Sequence, residues 1–188
     1  MNHTDIHIKN MVCPRCLLAV RNLFEQLNIP LTDLQLGLAQ VQRPLSSQEE
    51  QDLRDRLQQL GFEWLDDPDR RLINLIKLRI VRCIQEEELP NSNWSDFLAD
   101  ELGHPYAHLS RTFSQQQPLT IEQYIQQQRI ERVKELLSYG QWTISQIADR
   151  TGFGSSAYLS RQFRSLVGMS PSEWAQCNRS DRRTLDEI

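Results

Sequence analysis

Several features are missing from these 188 residues, and each absence closes off a class of protein. No long apolar run occurs. The richest, 72–84, is broken by Lys77, Arg79 and Arg82, whereas a membrane-spanning helix needs about 20 apolar residues. The opening MNHTDIHIKN has no apolar signal core, so a cytoplasmic protein with no membrane partner is expected. Four cysteines are too few for a disulfide framework in a chain of this length, and a close pair in a cytosolic protein suggests a metal or redox site. No Ser-His-Asp arrangement, phosphate loop or paired-carboxylate motif is present, so no enzyme activity is expected. Strong positive charge is lacking too. The net charge is −4, all of it in residues 1–70, which hold 7 Lys+Arg and 11 Asp+Glu; residues 71–188 hold 14 of each. A neutral second half with local basic clusters permits specific DNA binding and predicts modest nonspecific affinity.

What is present divides near Asp66-Asp67-Pro68-Asp69, a polar, structure-breaking stretch that predicts a domain boundary. Before it, Ile6 and Ile8 alternate as in a strand. Leu17, Val20, Leu23, Phe24 and Leu27 mark a helix that Pro14 suits at its first turn. Leu31 to Leu36 and Leu38 to Arg43 read as two strands around Gly37. Ser46 or Ser47 with Glu49 or Glu50 starts a second helix, continued by Leu53, Leu57 and Leu60 to a stop at Gly61, and Phe62 to Leu65 reads as a last strand. The order βαββαβ predicts a small α+β ferredoxin-like domain over residues 1–68.

Between its first strand and first helix stands Met11-Val12-Cys13-Pro14-Arg15-Cys16. Two cysteines three apart at a helix N-terminus can converge on one ion, and the helix dipole favours their thiolates. Thiolates select Cu(I), Zn or similar metals over Mg or Ca, and a tetrahedral zinc would need further ligands from His3, His7 or a second chain. Three readings stay open for this pair: a metal site, a thiol redox switch, or a retained fold with no metal role. Cys83 and Cys177 are isolated and read as structural or incidental. Met11, Cys13 and Cys16 within this element order resemble the Met-x-Cys-x-x-Cys of heavy-metal-associated domains, with Asn10 where those often carry Gly.

After the boundary, Leu72 to Glu88 predicts one helix, ended by Pro90-Asn91-Ser92-Asn93. Then comes an internal repeat. Phe97 to Phe113 overlays Gln146 to Phe163: Ala99-Asp100 on Ala148-Asp149, Gly103 on Gly152, Leu109-Ser110-Arg111 on Leu159-Ser160-Arg161, and Phe113 on Phe163. The offset is 49 residues before the turn and 50 after it. Each copy reads as two short helices around a Gly-containing turn, the second helix offering small polar and Arg side chains, which is how proteins enter the DNA major groove. Between the copies, Leu119 to Leu137 predicts a connecting helix about 28 Å long, against about 34 Å between successive major grooves.

Residues Leu72 to Gln176 resemble the DNA-binding domain of AraC/XylS transcription regulators, chiefly in IADRTGF, YLSRQFRSLVGMSPSEW and the Gly168 to Pro171 element. The resemblance implies an all-α domain over 69–178 of two helix-turn-helix units joined by a long helix, then a polar tail at 179–188. It implies a bacterial-type, sequence-specific transcription regulator with double-stranded DNA as partner, and a second copy of the chain and RNA polymerase as further partners. The DNA-facing residues it carries over are Tyr106, Ala107, Ser110 and Arg111 in the first unit, and Ser156, Ala157, Ser160, Arg161 and Arg164 in the second. Pro118 stands where the first recognition helix is commonly followed by Gly, so that helix must end differently, and Gln176 replaces a frequent closing Arg. The expected signal is a soft metal or thiol oxidation at Cys13 and Cys16. The alternative is a metallochaperone or thiol-redox protein whose working part is the N-terminal domain.

Overall fold

The computed structural model describes residues 4–177; His3 and the expected polar tail at 179–188 lie outside the described residues. The chain forms two compact units, Met1–Leu78 and Arg79–Ile188.

In the first unit β1 (Thr4–Lys9), α1 (Pro14–Gln26), β2 (Leu31–Gln35), β3 (Leu38–Val41), α2 (Ser47–Gln59) and β4 (Glu63–Leu65) follow one another. The strands form one antiparallel sheet in the order β2-β3-β1-β4. Strand alternation sends Ile6 and Ile8 to one face, where both are fully buried. They share a core with Val20, Leu23 and Phe24 of α1 and Leu53 and Leu57 of α2. Both helices therefore bury their apolar stripe in that core. The α2 start is a capping box: Ser46 Oγ accepts from the Glu49 N–H, and the Glu49 carboxylate accepts from the Ser46 N–H at 2.8 Å. Arg43 adds a 2.6 Å ion pair to the same carboxylate. That guanidinium, with the Ser46 donors, holds Glu49 down at about 2.

α3 spans Pro68–Gln85, starting four residues earlier than the sequence periodicity predicts and ending three earlier. Asp67 explains the early start, because its Oδ1 accepts from the Arg70 N–H at 2.8 Å and Pro68 needs no donor in the first turn. The polar stretch at 66–69 thus begins a helix. The early end lies at Glu87, whose φ of 61° is left-handed and incompatible with continued helix. The compact units divide within α3, and its first half belongs to the sheet unit: Arg71 Nε donates to Leu65 O at 2.8 Å.

The second unit continues with α4 (Trp94–Leu102), α5 (Tyr106–Gln116), α6 (Ile121–Tyr139), α7 (Ile144–Arg150), α8 (Ser156–Val167) and α9 (Pro171–Cys177). Nearly every start is set locally. Asn93, Thr120, Thr143 and Ser155 each accept a backbone N–H two or three residues into the helix they precede. α4, α6 and α8 stop at Gly103, Gly140 and Gly168 in left-handed geometry. α5 stops differently, as Pro118 demands: its cap Gln117 is extended (φ −118°, ψ 146°), the conformation a residue before proline prefers. No helix among the described residues is long and apolar enough to cross a membrane.

Gly37 closes the β2–β3 hairpin at φ 78°, beneath Leu78 and Asn74 of α3. A Cβ there would overlap the Leu78 Cδ1 atom. Gly37→Ala should therefore destabilise the chain by about 1–3 kcal/mol, combining overpacking with a left-handed alanine. Urea unfolding measures it, and an unmoved midpoint would contradict this packing.

Candidate nucleic-acid interface

Two helix pairs carry the sequence repeat. In the first, α4 leads through Gly103 and His104-Pro105 into α5, with Leu98 of α4 and Leu109 and Phe113 of α5 buried. Phe113 meets Tyr124 of α6 at 5.8 Å between ring centroids. In the second, α7 leads through Thr151 to Ser155 into α8. Ile147, Ala148, Phe153, Leu159 and Phe163 form a core with Ile130, Val133 and Leu136 of α6, closed by Trp174 of α9. One helix, α6, thus serves as a wall of both pairs.

The residues left outside these cores fall on one face of each second helix. On α8, Ser156, Ala157, Arg161 and Arg164 are exposed and Ser160 is half-buried. On α5, Ala107 and Arg111 are exposed while Tyr106 and Ser110 are half-buried. The two sets match at a shift of 50, so the same face is presented twice. Among the described residues Arg111 and Arg161 have no carboxylate partner. Arg161 stacks over the Tyr158 ring at 5.3 Å, which orders the guanidinium without occupying its donors. Arg164 lies 3.5 Å from Glu173, a contact too long and exposed to hold it firmly. Tyr106 is more engaged than its place in the pattern suggests. Its hydroxyl donates to Glu122 at the start of α6, and burial together with that carboxylate pushes the phenol up while Glu122 is held down.

A residue absent from the sequence pattern organises the second pair. Arg129, on α6, reaches the α7–α8 turn: its Nε donates to Thr151 O at 2.7 Å and its Nη2 donates to Gly152 O. The guanidinium also lies over Phe153, 5.0 Å from the ring centroid. Burial pulls its proton affinity down. The signal for it was present, since Arg129-Ile130-x-Arg132 repeats Arg79-Ile80-x-Arg82 of α3 at the same shift of 50. Each helix pair is therefore preceded by its own copy of a longer helix.

At the other expected site, Cys13 and Cys16 converge at the start of α1, their sulfurs 3.4 Å apart. Hydrogen bonds from the Cys16 backbone and thiol lower the Cys13 thiol below the ordinary range. Burial raises Cys83 instead. Among the described residues no group of three or more His, Cys, Asp or Glu assembles to hold a metal, so His7 does not complete a larger donor set with the two thiols.

Two helix-turn-helix units share a long helix, each turning out a face of small polar and Arg side chains, the form of helix pair by which many proteins enter the DNA major groove. Comparison with known proteins makes this specific. Residues 98–176 match the family described as "Helix-turn-helix domain". The HTH-type transcriptional activator RhaR of Escherichia coli K12 is 36% identical over 83 residues, which are 44% of this chain and 29% of RhaR. Among solved structures, the C-terminal domain of AraT, a response regulator from Geobacillus stearothermophilus, superposes with a TM-score of 0.52 at 22% identity, covering 63% of this chain and 92% of that one. Apo ToxT from Vibrio cholerae gives 0.50 at 19%, covering 87% and 68%. Over residues 98–176 the C-terminal part of the chain is thus similar to helix-turn-helix domains, and over 83 residues to one transcriptional activator. The aligned segment spans less than a third of the curated relative's length.

The two turn glycines make a comparison possible. Gly103 and Gly152 are both left-handed, but a Cβ at 103 meets nothing within 4 Å, while one at 152 would collide with the Arg129 guanidinium and Leu89. Gly103→Ala should cost about 1–2 kcal/mol, for its conformation alone. Gly152→Ala should cost clearly more, by displacing Arg129 from the turn. Thermal unfolding of the two variants side by side checks this, and equal losses would speak against the Arg129 contact.

Proposed function

We propose that the chain is a sequence-specific DNA-binding transcription regulator whose C-terminal unit reads an operator with two recognition helices, α5 and α8. The observation that carries this is the duplicated face: Ala107, Ser110 and Arg111 recur as Ala157, Ser160 and Arg161. Arg111 and Arg161 are the best placed to read guanine O6 and N7 bidentately. Ala107 and Ala157 suit a thymine methyl, and Ser110, Ser156 and Ser160 suit bases or phosphate. Arg164 lies one turn further along α8, where a phosphate contact is the simplest role. Tyr106 would reach DNA only by giving up its bond to Glu122. A 19-residue connector, α6, is about 28 Å long, comparable with the spacing of successive major grooves. A second copy of the chain and RNA polymerase are the further partners of this reading.

The N-terminal unit is, in this proposal, a ferredoxin-like, heavy-metal-associated-like signal domain over residues 1–68. Cys13 and Cys16 suit a soft ion such as Cu(I), because two convergent thiols, one already acidified, satisfy low coordination. They suit zinc less well without donors from elsewhere. An ion held there would supply a cross-link between the β1–α1 connection and the first turn of α1. Oxidation of the pair to a disulfide would make the same cross-link covalently. The rival reading, a metallochaperone or thiol-redox protein, rests on the same two sulfurs.

Selection of a preferred sequence from random duplex DNA tests the main reading. On that sequence Arg161→Ala should lose about 1–3 kcal/mol of binding and relax the preference at one position. Uniform weakening on all sequences would reassign Arg161 to phosphate. For the signal, operator affinity of the native protein should shift on adding Cu(I), Zn or a thiol oxidant, and the Cys13→Ser, Cys16→Ser double variant should not respond. A native protein indifferent to all three would sink the sensor proposal.

A further inference from the structure

The segment between α3 and α4 does more than connect them. Glu87 sits there with a left-handed backbone, φ 61°, that a non-glycine residue adopts only at a cost. Its carboxylate divides between two arginines of the second helix-turn-helix half: Oε1 lies 3.1 Å from Arg132 Nη2 on α6, and Oε2 lies 2.6 Å from Arg150 Nη1 at the end of α7. Two residues on, the Leu89 side chain lies against the place where Gly152 has no Cβ. The connection that leads into the first helix pair is thus docked on the turn of the second.

The two halves are unequal in this respect. Arg129 binds two backbone carbonyls of the second turn, fixing main-chain atoms that lead directly into α8. Its repeat counterpart Arg79 pairs with a side chain, Glu101, at 2.6 Å, and packs over Phe97. A side-chain pair can reorient with little effect on the backbone, whereas bonds to two successive carbonyls cannot. Open space around Gly103 agrees with the looser hold on the first turn.

We propose that Glu87 and Arg129 are positioning residues for the second recognition helix, with the α3–α4 connection acting as a strap that ties the placement of α8 to the first half of the reader. This inference rests on the DNA-binding reading. It assigns α8 as the preorganised half of the module and α5 as the half that adjusts on binding. Glu87 touches no DNA in this scheme. It acts through Arg132, Arg150 and the turn.

The test uses the full chain and a duplex selected from random DNA, probed by hydroxyl-radical protection. Arg111→Ala and Arg161→Ala first assign which half of the site belongs to which helix. Glu87→Gln should then lose protection over the α8 half, with affinity down on the order of tenfold, while the α5 half stays protected. Glu87→Asp should recover part of the α8 protection. Arg150→Gln should reproduce part of the loss, and combining it with Glu87→Gln should add little, since the Glu87–Arg150 pair is already broken by the first substitution. Equal loss over both halves, or none over either, overturns the strap. Native protein that selects no sequence at all overturns the DNA-binding reading itself, a distinct result.

Discussion

A half-buried guanidinium bonded to two carbonyl oxygens holds the second helix pair of this protein in register. Taking an arginine out of water is expensive, and carbonyl dipoles compensate it only when donors and acceptors are well aligned. Arg129 meets that demand by lying flat over Phe153 with Thr151 and Gly152 in front of it. Everything around the turn follows from this requirement. Residue 152 can carry no side chain, Phe153 must be buried, and the chain must emerge at Ser155 ready to cap α8.

The helices themselves are specified by nearby residues, and their arrangement by distant ones. Capping boxes at Thr120 and Thr143 decide where α6 and α7 begin without reference to the rest of the fold. The contacts that set one helix against another join residues far apart: Glu87 to Arg132 across 45 positions, Glu87 to Arg150 across 63. The first unit follows the same division. Its α2 cap is local, whereas Gly37 yields its surface to Leu78, in a helix that starts only at Pro68.

This division explains what could be read in the sequence. Caps, apolar stripes and turn glycines are written in short words, so the repeat at Phe97 to Phe113 and Gln146 to Phe163 was visible, as were Ile6, Val20 and Phe24 as core. Leu72 to Glu88 was visible as a helix, but its true start was not, because Asp66-Asp67-Pro68-Asp69 serves equally as a breaker and as a cap. Arg129 is marked in the sequence only by its repeat partner Arg79, and a polar residue on a helix with an apolar stripe ordinarily faces water. Glu87 left no trace at all, since nothing local distinguishes it from Glu86 or Glu88. Tyr106 shows the opposite case: its place in the pattern was plain, and its bond to Glu122 was not.

Pro118 carries a meaning beyond the way α5 ends. On both sides of it the chain is rich in glutamine and other residues content in a helix, from Ser114-Gln115-Gln116-Gln117 to Gln126-Gln127-Gln128. Without an interruption these segments could fuse, during synthesis or refolding, into one rod running from Tyr106 to Tyr139. Such a rod would keep every local preference satisfied while pulling Phe113 away from Tyr124 and dissolving the first helix pair. An extended Gln117 followed by a residue that cannot donate closes that route. The proline acts as a punctuation mark between two words that would otherwise run together, excluding a competing fold at the cost of a single hydrogen bond.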